Sequence, residues 1–113
     1  LRYRKQHPTD VVLGVAYLVI ERGDQIAAVA RKAGVSRPTV YRWVDQAWKH
    51  REELNEFMRN LRLAIEAFRA LREKAPLPVQ FVQNFRLAET TKPWLNVRWY
   101  LEHRDRLDRL RGK

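Results

Sequence analysis

The stretch from Asp24 to Val44 constrains this chain more than any other part of it. Ile26, Val29, Ala30 and Ala33 recur at helical spacing, and Gly34 follows at a point where a left-handed backbone costs glycine almost nothing. Val35 is the apolar plug of this corner. Ser36 then caps a second helix that tolerates Pro38 in its first turn. Val40, Trp43 and Val44 form the inward stripe of that helix, leaving Arg37, Pro38, Thr39, Tyr41, Arg42, Asp45 and Gln46 on its outer side. Ahead of this corner, Asp10 is placed to cap a helix from about Val11 to Arg22 that turns Leu13, Ala16, Tyr17 and Ile20 inward. Gly23 is its natural stop and Asp24 the expected N-cap of the next helix.

Beyond Trp48 no Gly or Pro occurs until Pro76. Arg51, Leu54, Met58, Leu61, Ile65 and Phe68 fall at alternating three- and four-residue steps, the seam of a coiled-coil-like helix from about Glu52 to Lys74. Such a helix spans roughly 35 Å, longer than a compact monomer of this size requires. Part of its seam is therefore expected to be covered by the last third of the chain or by a second subunit. Propensity leaves open whether it continues the preceding helix or kinks near Lys49 to Arg51. Pro76 and Pro78 end it, Val79 to Ala88 is a short helix, Glu89 to Pro93 a turn, and Trp94 to about Leu110 a final helix. The fold class is all-α: a trihelical unit in residues 1–50, then a long helix and a small C-terminal helical segment in 51–113 that assembles subunits.

Net charge is +10 over 113 residues. Residues 1–50 carry nine Lys/Arg against four acids, 51–75 six against five, and 76–113 eight against four, so both ends are basic. An excess of this size points to a polyanionic partner, because each phosphate neutralised releases condensed counterions. Charge alone fits DNA, RNA or an anionic membrane. A membrane span needs roughly 18 apolar residues, and the most apolar stretch, Val11 to Ile20, is too short. The chain has no cysteine and no secretory leader is read, which fits a cytoplasmic location. It opens on Leu1 rather than Met, as a piece of a longer protein would.

The pattern Val29-Ala30-x-x-Ala33-Gly34-Val35-Ser36-x-x-Thr39-Val40 resembles the helix-turn-helix of bacterial repressors, the lac-repressor type in particular. Ser36-Arg37-Pro38-Thr39-Val40-Tyr41-Arg42-Trp43 is also similar to the helix-turn-helix arms of transposases and recombinases. Glu21-Arg22-Gly23 before the motif and Glu52-Glu53-Leu54 after it resemble marks of the tetracycline-repressor family. That family's spacer between the first two helices is missing, however, and too few residues remain for its ligand-binding domain, so no small-molecule ligand is expected. The resemblance implies that the second helix of the motif enters the DNA major groove. By the lac-type analogy Arg37, Pro38 and Arg42 would contact base edges, while Gln25, Ser36, Thr39 and Tyr41 would grip phosphates. The residue chemistry suits these roles: Arg bonds bidentately to guanine, hydroxyls bond phosphate oxygens, and Pro packs on a thymine methyl.

Arg2, Arg4 and Lys5 form a basic lead-in that either enters the minor groove or is simply solvated. His7, His50 and His103 are isolated from one another, so no metal is expected, and no phosphate loop or activated nucleophile pattern points to a cofactor or to catalysis. Trp94, Trp99 and Tyr100 read as local core rather than as a base-stacking platform. The first functional expectation is a bacterial or phage regulator that occupies double-stranded DNA as a homodimer or higher homo-oligomer. The alternatives are a DNA-packaging or recombination component, such as a small terminase subunit or a transposase DNA-binding part, and a helix-turn-helix that binds a protein partner.

Overall fold

Almost every residue of the first helix is apolar, and a helix apolar all round has to be covered all round. A computed structural model describing residues 8–110 shows how this is done. The described residues form seven helices: α1 (Thr9–Ile20), α2 (Ile26–Ala33), α3 (Arg37–Lys49), α4 (Arg51–Lys74), α5 (Val79–Thr91), α6 (Pro93–Glu102) and α7 (Arg104–Leu110). Helix α1 packs against α2, α3, α4 and α6. Besides the expected Leu13 and Ala16, Gly14, Val15 and Leu18 are buried in it, while Tyr17 and Ile20 are only half-buried.

Two expected caps are taken by longer-range pairs. α1 starts at Thr9 with Pro8 as N-cap, and the Pro8 carbonyl accepts from the amides of Val11 and Val12. Asp10 lies inside the first turn. Its carboxylate instead receives the fork of Arg98 on α6, at 2.6 Å from Nε and 2.9 Å from Nη2. This bond holds the Arg98 pKa above its ordinary value. Similarly, α2 is capped at Gln25 without a side-chain bond, because the Asp24 carboxylate accepts from Lys32 Nζ at 3.5 Å. Lys32 also donates to the carbonyl of Thr90, at 3.0 Å, which ties α2 to the end of α5.

The turn between α2 and α3 follows the expected chemistry. Gly34 has φ 72°, and the amide of Val35 returns to the carbonyl of Ala30 at 3.0 Å. A side chain forced into this left-handed conformation costs about 1–2 kcal/mol, although nothing crowds the site sterically. Gly34→Ala is therefore expected to lower unfolding free energy by that amount in urea denaturation; an unchanged midpoint would show that the turn relaxes freely. Ser36 Oγ caps α3 by accepting from the amide of Thr39 at 3.3 Å.

Helix α3 does not run on into α4. His50, at φ −119° and ψ 57°, closes α3 with its amide on Gln46, and its carbonyl starts α4 by accepting from Glu53 and Leu54. The buried side of α4 is Leu54, Phe57, Leu61, Ala64, Ala67 and Phe68. Met58 and Ile65 of the expected seam are half-buried, and Arg51, the first residue of α4, is exposed. The chain's own α1, α6 and α7 lie on α4.

The C-terminal segment has three helices where two were expected. α5 runs through Thr90 and Thr91, whose hydroxyls bond the carbonyl of Leu87 within the helix, so the expected turn contracts to Lys92. Pro93 keeps the break at Lys92 (φ −145°, ψ 65°), since the residue before a proline avoids helical backbone. The expected final helix breaks at His103 (φ −120°, ψ 20°), and Tyr100 Oη reaches across the break to Asp108 at 2.8 Å.

Two apolar cores result. The first joins Leu13, Val15, Leu18, Val29, Val40 and Trp43 to Leu54, Phe57, Leu61, Trp94 and Val97, so it crosses residue 50 freely. The second stacks Phe68 on Phe85, ring centroids 4.0 Å apart, with Tyr100 and Leu107 beside them. On α5, burial raises the Glu89 pKa against the opposing pull of Arg69, Arg86 and Arg22. A carboxyl with a raised folded pKa contributes stability below its unfolded pKa of about 4.3 and loses it as pH rises through the folded value. Glu89→Gln should therefore raise the melting temperature at neutral pH more than at pH 4. An equal shift at both values would show that folding does not raise the Glu89 pKa.

Candidate nucleic-acid interface

Three sides of α3 follow from its cap and its core contacts. Once Ser36 fixes the helix start and Val40, Trp43 and Ala47 are buried, a rotation of about 100° per residue assigns every other side chain. Directly opposite the core lie Pro38, Arg42, Asp45 and Lys49, all exposed. Arg37, Tyr41 and Trp48 share one flank and Thr39 and Gln46 the other. The outward stripe carries an ion pair, Lys49 Nζ to Asp45 Oδ2 at 3.1 Å, with both side chains well exposed. A pair so exposed contributes little to stability, so its atoms stay accessible to a ligand.

The sequence-derived base readers divide accordingly. Pro38 and Arg42 stand in the outward stripe, whereas Arg37 sits on the flank beside Tyr41, although all three are exposed. Of the phosphate candidates, Ser36 and Thr39 are brought together, Oγ to Oγ1 at 2.9 Å, at the exposed start of α3. Only one hydroxyl proton can lie between them, which leaves the other available to an anion. Gln25 is exposed at the start of α2, and Tyr41 presents 62% of its surface. Arg2, Arg4 and Lys5 lie outside the described residues.

Sequence reasoning passed over two members of this surface, Lys49 and Trp48. Lys49 was legible, since 38, 42, 45 and 49 repeat the four-three-four step of a single helical stripe. Trp48 was not, because a tryptophan beside a helix end is ordinarily buried; here it is 53% exposed. Of its charged residues α3 exposes Arg37, Arg42 and Lys49 against the single acid Asp45, a net basic surface that suits a polyanion.

The expected core role of Trp94 and Tyr100 holds, as both are buried. Among the described residues no cluster of His, Asp and Glu is placed to hold a metal ion, and no helix is long and apolar enough to cross a membrane.

Residues 9–55, from the start of α1 into the second turn of α4, match the family model of the homeodomain-like domain. The match supports a helix-turn-helix that binds DNA, and neither of the two repressor families in particular. No curated protein and no solved structure gave a match.

Proposed function

With residues 9–55 as a homeodomain-like helix-turn-helix domain of a DNA-binding protein, we propose that the chain is a sequence-specific regulator that acts by occupying its operator. The observation that carries this reading is the outward stripe of α3: Arg42, Asp45 and Lys49 offer donors and an acceptor at successive turns of one exposed helix. Arg and Lys donate to guanine O6 and N7, and a carboxylate accepts from cytosine N4, so the stripe has the chemistry to read G·C pairs in the major groove. An acid at the centre of a polyanion-facing surface weakens indiscriminate binding, which suits a reader better than a coat protein.

The reading includes a homodimer, which would set two recognition helices about 34 Å apart in successive grooves, a bacterial or phage cytoplasmic setting, and no catalytic step. A DNA-packaging or recombination component is the second reading. It shares the same helix-turn-helix and basic surface, and differs from the first reading in retaining duplex without a preferred motif.

Selection from random duplex fragments at about 0.15 M salt tests the proposal, because non-specific binding has by then weakened to roughly 10⁻⁴ to 10⁻⁶ M. Recovery of a short motif, paired with a fixed spacing, is the expected result. Retention without a motif would move the reading to packaging, and no retention would overturn duplex binding altogether.

A further inference from the structure

The recognition helix ends in an arrangement that its packing does not explain. Trp48 is 53% exposed, whereas Trp43 and Trp94 are buried and Trp99 is half-buried. The guanidinium of Arg51 lies over the Trp48 ring, its central carbon 4.4 Å from the centroid. The two residues flank the break at His50, Trp48 in the last turn of α3 and Arg51 at the first position of α4, three residues apart, a spacing at which side chains meet. Arg51 is itself exposed, and the ion pairs of the described residues do not include it.

A guanidinium stacked on an aromatic face spends its π surface and keeps its in-plane N–H donors, which match a phosphate bidentately. The ring also fixes the rotamer, so less entropy is lost when the donors engage. Trp48 belongs to the flank of α3 that holds Arg37 and Tyr41. A helix with its side chains is about 10–12 Å across and the major groove about 12 Å wide, so the flanks of an inserted helix lie against the phosphate walls.

We propose that Trp48 and Arg51 form a phosphate-binding clamp at the C-terminal end of α3, gripping the strand that Tyr41 and Arg37 follow from the other end. The inference rests on the DNA-binding reading and adds a second anchor to the contacts at the helix start. Trp48 is the positioning residue and Arg51 the contact.

The test is the salt dependence of duplex binding by the full chain, measured for the wild type, Arg51→Gln and Trp48→Leu on a selected site and on a random duplex. Both side chains are exposed, so unchanged circular dichroism and melting are expected as the folding control. Each phosphate contact contributes about 0.9 to the slope of log K against log salt. Arg51→Gln should flatten the slope by about that amount on both duplexes. Trp48→Leu should weaken binding on both as well, although it removes no charge. An unchanged slope for Arg51→Gln while the wild type still binds would overturn the clamp and leave the DNA reading standing. A loss confined to one sequence would make Arg51 a base reader and also overturn it. Wild-type affinity in Trp48→Leu would show that the ring positions nothing, and failure of the wild type to bind either duplex would overturn both readings.

Discussion

Replacing Trp94 by Ala is expected to lower the unfolding free energy by about 3–5 kcal/mol, the usual cost of emptying a buried aromatic site. The residue lies on α6, well outside the matched domain, yet its ring belongs to the same core as Leu13, Val29, Val40 and Trp43. It fits there because Gly14 has no side chain: a Cβ at that position would stand 2.5 Å from Cε3 of Trp94 and 3.5 Å from Cζ of Phe57. The indole is 6% exposed and cannot swing away cheaply. At this chain length the loss corresponds to a fall in melting temperature of more than about 10 °C. A loss under about 1 kcal/mol would instead mean that α1 to α3 fold without α6.

The pair gives a sharper form of the same test, because the effect of a methyl group at position 14 should change sign. In the wild type Gly14→Ala overpacks the site, at a cost of about 1–3 kcal/mol. In the Trp94→Ala background the clash is gone, and Ala gains the roughly 0.5–1 kcal/mol by which it surpasses Gly inside a helix. Additive effects in this cycle would show that the two positions do not touch.

The second large effect concerns recognition. Arg42→Ala should weaken binding to the selected site by about 1–3 kcal/mol and relax discrimination at one base pair, with binding to random duplex much less affected. Arg42 is exposed in the middle of the outward stripe and away from the core, so melting should not change. Competition binding with single-base variants of the site separates the outcomes. An equal loss on every sequence would place Arg42 on the backbone rather than on a base edge. The contrast with Arg51, where an equal loss is the expected result, makes the two arginines controls for each other.

The turn and the helix beyond it were legible in the sequence because their determinants are local. Gly34 adopts the left-handed backbone that only glycine takes without strain, Ser36 caps α3, and Val40 and Trp43 fall on its buried side. The exposure of Arg42 and Tyr41 follows from the same period. The two misplaced caps show where local reasoning stops. Asp10 and Asp24 each had the right residue type beside a helix start, but a carboxylate facing Arg98 or Lys32 gains a charged partner that a backbone amide cannot match.

Sequence by itself determined the all-helical class, the sharp corner at Gly34 and the outward face of α3, since each depends on residues within a turn or two of one another. Only the tertiary structure decided which sides of α1 are covered: in a helix apolar on nearly every face the period is weak, and of the four residues it turns inward Leu13 and Ala16 are buried while Tyr17 and Ile20 are half-buried. It also decided the breaks at His50 and His103, where neither Gly nor Pro marks the chain and packing of the flanking helices sets the backbone. The cover of α4 was settled in the same way: α6 and α7 lie on it because Trp94, Val97, Tyr100 and Leu107 bury their apolar surface there, and area removed from water has no address in the sequence.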